Sequence, residues 1–174
     1  MKLSYLNTLL LLLFVLLSPN TKADSAIDAA GKIYLQAGYS SLNINYGQYS
    51  YNIGSTYTAY LGGNINKNLG IEILGATTST ANYSTTLNFD GIFIKPKYAF
   101  NDYAELFARI GFNEINLSTN YAGSYTGSFL AYGGGINFYF TNDKKQYIQF
   151  DYMNWAHNNT YSLSGTGVSY GYKF

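Results

Sequence analysis

The seven residues from Val168 to Phe174 constrain the fold more than any other stretch of the chain. Val168, Tyr170, Tyr172 and Phe174 fall on one face of an extended strand, and Ser169, Gly171 and Lys173 fall on the other. This period-two alternation marks a sheet that is apolar on one side and wet on the other. A strand that ends on an aromatic residue leaves its edge open, and an open apolar edge invites aggregation unless it is paired. Pairing with the first strand, which closes a barrel, is the simplest solution.

Seven earlier segments repeat the alternation. They lie at about 32–42, 55–65, 69–78, 87–99, 103–116, 127–140 and 146–155, and turn-rich connections separate them. In the first, Ile33, Leu35, Ala37 and Tyr39 oppose Lys32, Tyr34, Gln36 and Gly38; in the fifth, Leu106, Ala108, Ile110 and Phe112 oppose Glu105, Arg109 and Asn113. The connections are expected to alternate between short turns and longer loops, the longer ones at roughly 43–54, 79–86, 117–126 and 156–163. Glycines within the segments, such as Gly62, Gly75 and Gly133 to Gly135, permit the bends a barrel needs. Pro96 predicts a bulge or a ladder defect, because a closed barrel has no free edge on which to hide a missing donor.

Composition decides what surrounds the barrel. Charged residues make up only 11% of the 174 residues and aromatics 18%, whereas an ordinary soluble domain is about a quarter charged. The few charges fall on the face that would point into a narrow lumen. A soluble sandwich would carry ordinary surface charge on its outer faces. Lipid admits only helices and closed barrels, and no stretch beyond the N-terminus is apolar enough for a spanning helix. The expected architecture is therefore all-β: an eight-stranded antiparallel up-and-down transmembrane β-barrel over residues 31–174.

Residues 1–23 read as a cleavable signal peptide: Lys2 supplies the basic start, Leu9 to Leu17 form an unbroken apolar run, and Thr21 and Ala23 offer a small-residue cleavage site. Residues 24–30 are a lead-in. Loss of Lys2 and Lys22 takes the formal charge from +1 to −1, which gives no hint of nucleic-acid binding. The absence of Cys excludes disulfides, thiolate metal sites and cysteine lipidation, and no cofactor is expected.

With Phe174 at the end and Tyr172, Tyr170 and Val168 before it, the pattern resembles the small eight-stranded outer-membrane barrels of Gram-negative bacteria, the OmpA/OmpX and opacity-like group. The segment from Lys97 to Phe100 and that from Gly133 to Phe138 also look like strand ends of that family. The resemblance implies an outer-membrane location, lipid as a partner, and a terminal strand (Val168, Tyr170, Tyr172, Phe174) read by the barrel-assembly machinery. It also implies short periplasmic turns, with both chain ends on the periplasmic side.

Three groups of residues are candidates for function. Glu72, Lys95, Lys97, Glu105, Arg109 and Asp151 all face the lumen. They read as a buried ion-pair network that fills it and fixes register, or alternatively as a gated ion path. His157 is the only histidine. Lipid A deacylases are similar barrels with a His followed closely by Ser and Asn, but here Asn158 and Asn159 follow His157, so the nucleophile that acyl transfer needs is missing from the motif. Tyr46, Tyr49, Tyr51, Tyr83, Tyr121, Tyr125 and Tyr161 sit in the expected outer loops among Asn, Ser, Thr and Gly. They read either as an interfacial aromatic belt or as a contact patch of the kind binding loops favour. The expectation is a non-enzymatic structural or surface-interaction barrel whose ligand the residues do not identify. A narrow pore is the first alternative and a lipid A-modifying enzyme the second.

Overall fold

The computed structural model describes residues 33–80, 85–119, 123–141 and 143–174; the expected leader and lead-in lie outside them. Eight strands follow in chain order: β1 Ile33–Tyr46, β2 Tyr49–Asn66, β3 Leu69–Thr80, β4 Thr85–Ala99, β5 Ala104–Thr119, β6 Gly123–Tyr139, β7 Gln146–His157 and β8 Tyr161–Lys173. Each pairs antiparallel with its neighbour, and β8 pairs with β1, closing the barrel. The seam runs from Tyr34 opposite Lys173 to Tyr46 opposite Tyr161, and the Phe174 amide donates to the Ile33 carbonyl at 2.9 Å. The terminal strand is thus satisfied by the first one.

Alternation sets the facing. Leu35, Leu61, Ile73, Ile92, Phe112, Leu130, Phe150 and Val168 are exposed on the outside, while Gln36, Thr58, Glu72, Lys95, Arg109, Asn137, Gln149 and Ser169 are buried inside. The outward residues form a continuous apolar collar, far larger than the patches a soluble monomer exposes. Tyr39, Tyr57, Phe112, Tyr132 and Tyr152 edge the collar on one side. Tyr98, Phe100, Tyr103, Phe138, Phe140 and Phe174 edge it on the rim that carries the chain ends. These are the two aromatic girdles of a membrane barrel.

Where two bulky rings must enter the narrow interior, the adjoining strand supplies glycine. A Cβ on Gly62 would overlap the Tyr34 ring, and one on Gly171 would overlap the Tyr147 ring. Pro96 produces a ladder defect. Pairing of β4 with β5 stops at Ile94–Ile110 and resumes at Lys97–Phe107 in the same register. Lys95 and Lys97, on either side of the defect, both point inward and are buried.

Two expectations are corrected. The long connections at the rim far from the chain ends are mostly strand. β1 and β2 run up to a turn of Gly47 and Gln48 alone, β7 and β8 are separated only by residues 158–160, and β3 to β6 extend well into the expected loops. At 18 residues, β2 rises roughly 45 Å at ordinary strand pitch and barrel tilt, against an apolar band of about 25 Å. The strands therefore overrun the collar on that side.

The second correction concerns the interior. A charged and polar lining holds only for the half nearer the chain ends. In the other half the phase of the alternation inverts: on β4, Ile92 and Ile94 face out, but Leu87 and Phe89 face in while Asn88 and Asp90 face out. On β5, Phe112 faces out and Ile115 faces in. The inward apolar residues Leu42, Leu74, Leu87, Phe89, Phe93, Ile115, Met153, Trp155 and Leu163 form one buried cluster. Inside the collar the barrel is built for lipid; beyond it, the same wall is built for water.

Candidate functional site

The interior is organised in layers. In the middle layer Glu72 on β3 is wholly buried and receives four donors: Lys95 Nζ at 2.8 Å, Tyr34 Oη at 2.9 Å, Arg109 Nε at 2.5 Å and Arg109 Nη2 at 3.3 Å. Arg109 also reaches Asp151 through Nη1 at 3.2 Å, and Gln149 joins Asp151 (2.6 Å) to Lys95 (3.1 Å). Aromatic faces cover the cations. The Arg109 guanidinium lies 4.1 Å from the Tyr60 ring centre and Lys95 Nζ 4.4 Å from that of Phe107. Two cations and two carboxylates balance, and every one of them has a partner, as buried charge requires.

Glu105 and Lys97, expected in the same network, lie one layer nearer the chain ends. Glu105 accepts from Asn137 (2.9 Å) and Tyr139 (3.0 Å), Tyr139 accepts from Lys173 (2.7 Å), and Lys97 donates to Asn64 (2.5 Å). Among the described residues, neither Glu105 nor Lys97 forms an ion pair. Sequence reasoning thus found four members of the central network and missed Tyr34 and Gln149 there and Lys173 in the layer nearer the chain ends. All three sit on the same inward parity as the residues it chose, so extending the parity to neutral donors and to the last strand would have found them. Above the charges, Phe89 and Trp155 meet from opposite sides of the interior at 5.7 Å between ring centres. The inward side chains thus change from charged and polar nearer the chain ends to apolar above.

Beyond the collar the wall is no longer a complete ring. β2 pairs with β3 only up to Thr56–Thr78, and β6 with β7 only up to Tyr132–Asn154. Tyr49 to Ser55 on β2 and Gly123 to Ala131 on β6 therefore have one unpaired edge among the described residues. Among the described residues the rim splits into two sheets, β7–β8–β1–β2 and β3–β4–β5–β6, with unpaired edges between β2 and β3 and between β6 and β7. The expected contact tyrosines can now be placed. β2 takes up one extra residue, Ile53, between Gly54 opposite Leu42 and Asn52 opposite Asn43. Gly54 follows at φ 118°, a conformation that costs glycine little. A bulge of this kind re-aims the side chains that follow it. With it, Tyr51 and Tyr49 share the face of Ile44 and Tyr46, which is the inner face.

Tyr161, opposite Tyr46, packs on the apolar cluster; Tyr125 stands opposite Leu117, which also packs there. Tyr46, Tyr49, Tyr51 and Tyr125 are each more than half exposed, and Tyr49 and Tyr51 stack. These five tyrosines therefore line the inner faces of the rim and take no part in the lipid-facing girdles. Tyr83 and Tyr121 lie outside the described residues. His157, at the end of β7, is exposed and opposite Ser162. The Asn45 amide donates to Ser162 Oγ at 3.3 Å and to Ser164 Oγ at 3.2 Å, and among the described residues neither hydroxyl bonds the imidazole.

Comparison with known proteins agrees with this architecture. The outer membrane protein beta-barrel domain family matches residues 8–174. No curated protein sequence matches the chain. Among solved structures, Ail, the attachment invasion locus protein of Yersinia pestis, is similar at 16% identity and a TM-score of 0.61, covering 83% of this chain and 99% of its own. Neisserial surface protein A matches at 14% identity and a TM-score of 0.62, covering 82% and 97%. OprG of Pseudomonas aeruginosa matches at 8% identity and 0.56, covering 84% and 97%. At such identities the likeness is one of fold. With the lipid-facing collar, the closed eight-stranded ring and the family match over nearly the whole sequence, the chain belongs to the outer membrane protein beta-barrel domain family, in the bacterial outer membrane.

Proposed function

We propose that the protein is a non-enzymatic outer-membrane barrel with a closed lumen, and that its projecting rim meets partners outside the cell. One observation carries the reading: the strands overrun the apolar collar, and the projection presents mostly Tyr, Ser, Thr and Asn, with Asp90 and Glu114 the acidic pair on its outer face just past the collar. A barrel that served only to span the membrane has no use for walls of that height. The unpaired edges of β2 and β6 add backbone groups to which an extended segment could pair. The two unlike layers of the interior favour closure over conduction. A permeant ion would have to break the Glu72–Arg109 pairing and then cross the contact of Phe89 with Trp155. The attachment role named for Ail is in keeping with this reading.

Two measurements test it. The purified barrel in planar bilayers is expected to give no unitary conductance; a steady conductance that Arg109→Ala changes would favour the narrow pore. Cells displaying the protein are expected to adhere to host-cell monolayers or to one another more than cells lacking it, with the gain lost on joint replacement of Tyr46, Tyr49, Tyr51 and Tyr125 by Ala. Adhesion unchanged by the protein's presence would remove the surface role. Lipid A whose mass changes with the protein, and reverts with His157→Ala, would favour the enzyme instead.

A further inference from the structure

We infer that the cleft between the two rim sheets binds an uncharged glycan chain lying lengthwise through both gaps, a proposal that rests on the surface-interaction reading above. Three features lead to it.

The first is charge. Among the described residues, no Asp, Glu, Lys or Arg faces the cleft above the level of Trp155. The inward residues there are Ile44, Tyr46, Ile53, Tyr51 and Tyr49 on one sheet and Leu117 and Tyr125 on the other, over a floor of buried Leu42, Thr78, Leu87 and Ile115. An anionic polymer would find no cation, and a cationic one no carboxylate, so the complementary partner is neutral.

The second is the kind of surface. Exposed tyrosines held on paired strands offer flat rings of fixed direction. A sugar ring has a face of C–H groups, partly positive, that suits the negative face of an aromatic ring, and a rim of hydroxyls that suits phenol, amide and hydroxyl side chains. An extended peptide would pair along the strand edges instead and leave these inner faces unused.

The third is hydrogen-bonding capacity left open at both ends of the cleft. Thr78 is wholly buried, and its Oγ1 has no partner; it forms the last β2–β3 pair, the sill of one gap. Trp155, 2% exposed, has an unpartnered Nε1 and sits just above Asn154, the last residue of β7 paired with β6, at the sill of the other gap. Buried polar atoms left without partners are uncommon and call for an explanation. A polyhydroxyl chain crossing both sills would satisfy the two groups, and because the cleft meets an unpaired strand edge on both sides among the described residues it suits a chain better than a single sugar.

The test uses the full barrel in detergent micelles, titrated with neutral hexasaccharides (chitohexaose and maltohexaose) and with a heparin hexasaccharide as the charged control. At least one neutral probe is expected to bind, to shift the emission of Trp155, and to keep its affinity as salt is raised from 50 to 500 mM. Tyr49→Ala with Tyr51→Ala is expected to weaken it at least tenfold, while Tyr49→Phe with Tyr51→Phe keeps most of the affinity. Retained heat-modifiable gel mobility shows that each variant is folded. Binding of neither neutral probe, equal or stronger binding of the heparin fragment, or an unchanged affinity in the double-alanine variant overturns the inference. Should glycan binding fail while rim-dependent adhesion persists, the surface-interaction reading survives without it; loss of both fells both.

Discussion

Arg109 is the residue whose removal most directly tests the account of the interior. It is wholly buried, donates twice to Glu72 and once to Asp151, and lies over Tyr60. Arg109→Met keeps much of the volume but leaves two carboxylates against the single charge of Lys95. Glu72 still has Lys95 and Tyr34, and Asp151 still has Gln149, so neither is orphaned. The loss is then a net buried negative charge and three charge-assisted bonds, a case in which breaking a buried pair costs about 3–5 kcal/mol. That corresponds to roughly a hundred- to a few-thousand-fold change in the folding equilibrium, since each 1.4 kcal/mol is about tenfold. Urea unfolding in lipid vesicles, followed by gel mobility and by Trp155 emission, measures it. The double variant Arg109→Met with Glu72→Gln restores the balance of one cation and one carboxylate and is expected to recover about 1–3 kcal/mol of the loss. A single variant within about 1 kcal/mol of the parent, or a double variant less stable than the single one, would refute the reasoning that charge balance holds this layer together.

Other outcomes follow from the facing of particular residues. Trp155, the sole tryptophan, is expected to emit at short wavelength and to resist quenching by brominated lipid chains, because it points into the barrel; strong lipid quenching would place it on the wrong face. Gly171→Val should drive a side chain into the Tyr147 ring and lower stability by about 1–3 kcal/mol, whereas Gly63→Val, where an added Cβ meets nothing, should cost far less in the same unfolding assay. If the terminal strand is what the assembly machinery reads, Phe174→Ala with Tyr172→Ala should lower the yield of folded barrel in cells while leaving refolding of the purified chain into micelles near normal; equal loss in both would point to stability instead.

Much of the fold was legible because alternation is a strong signal and one face of every strand meets lipid. The outward positions of Leu35, Ile73, Phe112 and Tyr170 follow from parity alone. What escaped was the point at which parity changes meaning. On β5, Phe112 and Ile115 are both apolar but belong to opposite faces, because the solvent outside the wall changes between them. A reading that asks only for apolar alternation ends the strand just beyond Ile115, at about 116, and assigns the remainder to a loop. Ser, Thr and Asn in those stretches reinforced the error, since they are turn formers in isolation and here form the wet face of a ribbon. The facing of Tyr49 and Tyr51 was hidden for a different reason. It depends on Ile53 being unpaired, and nothing local in the sequence announces a bulge. Pro96 was the opposite case: its missing donor made a ladder defect predictable, and the ladder breaks there while the register holds.

Asp90 and Glu114 have a consequence for how the molecule floats. They stand opposite each other on β4 and β5, pointing outward just past the collar, and two like charges side by side are tolerable only in water. At the other end Lys67, Asp102, Lys144 and Lys145 occupy the turns. The barrel thus carries a waterline at each end, like the draught marks on a hull, and can neither sink nor ride higher without wetting grease or drying charge. In a thicker bilayer the lipid has to thin to meet it.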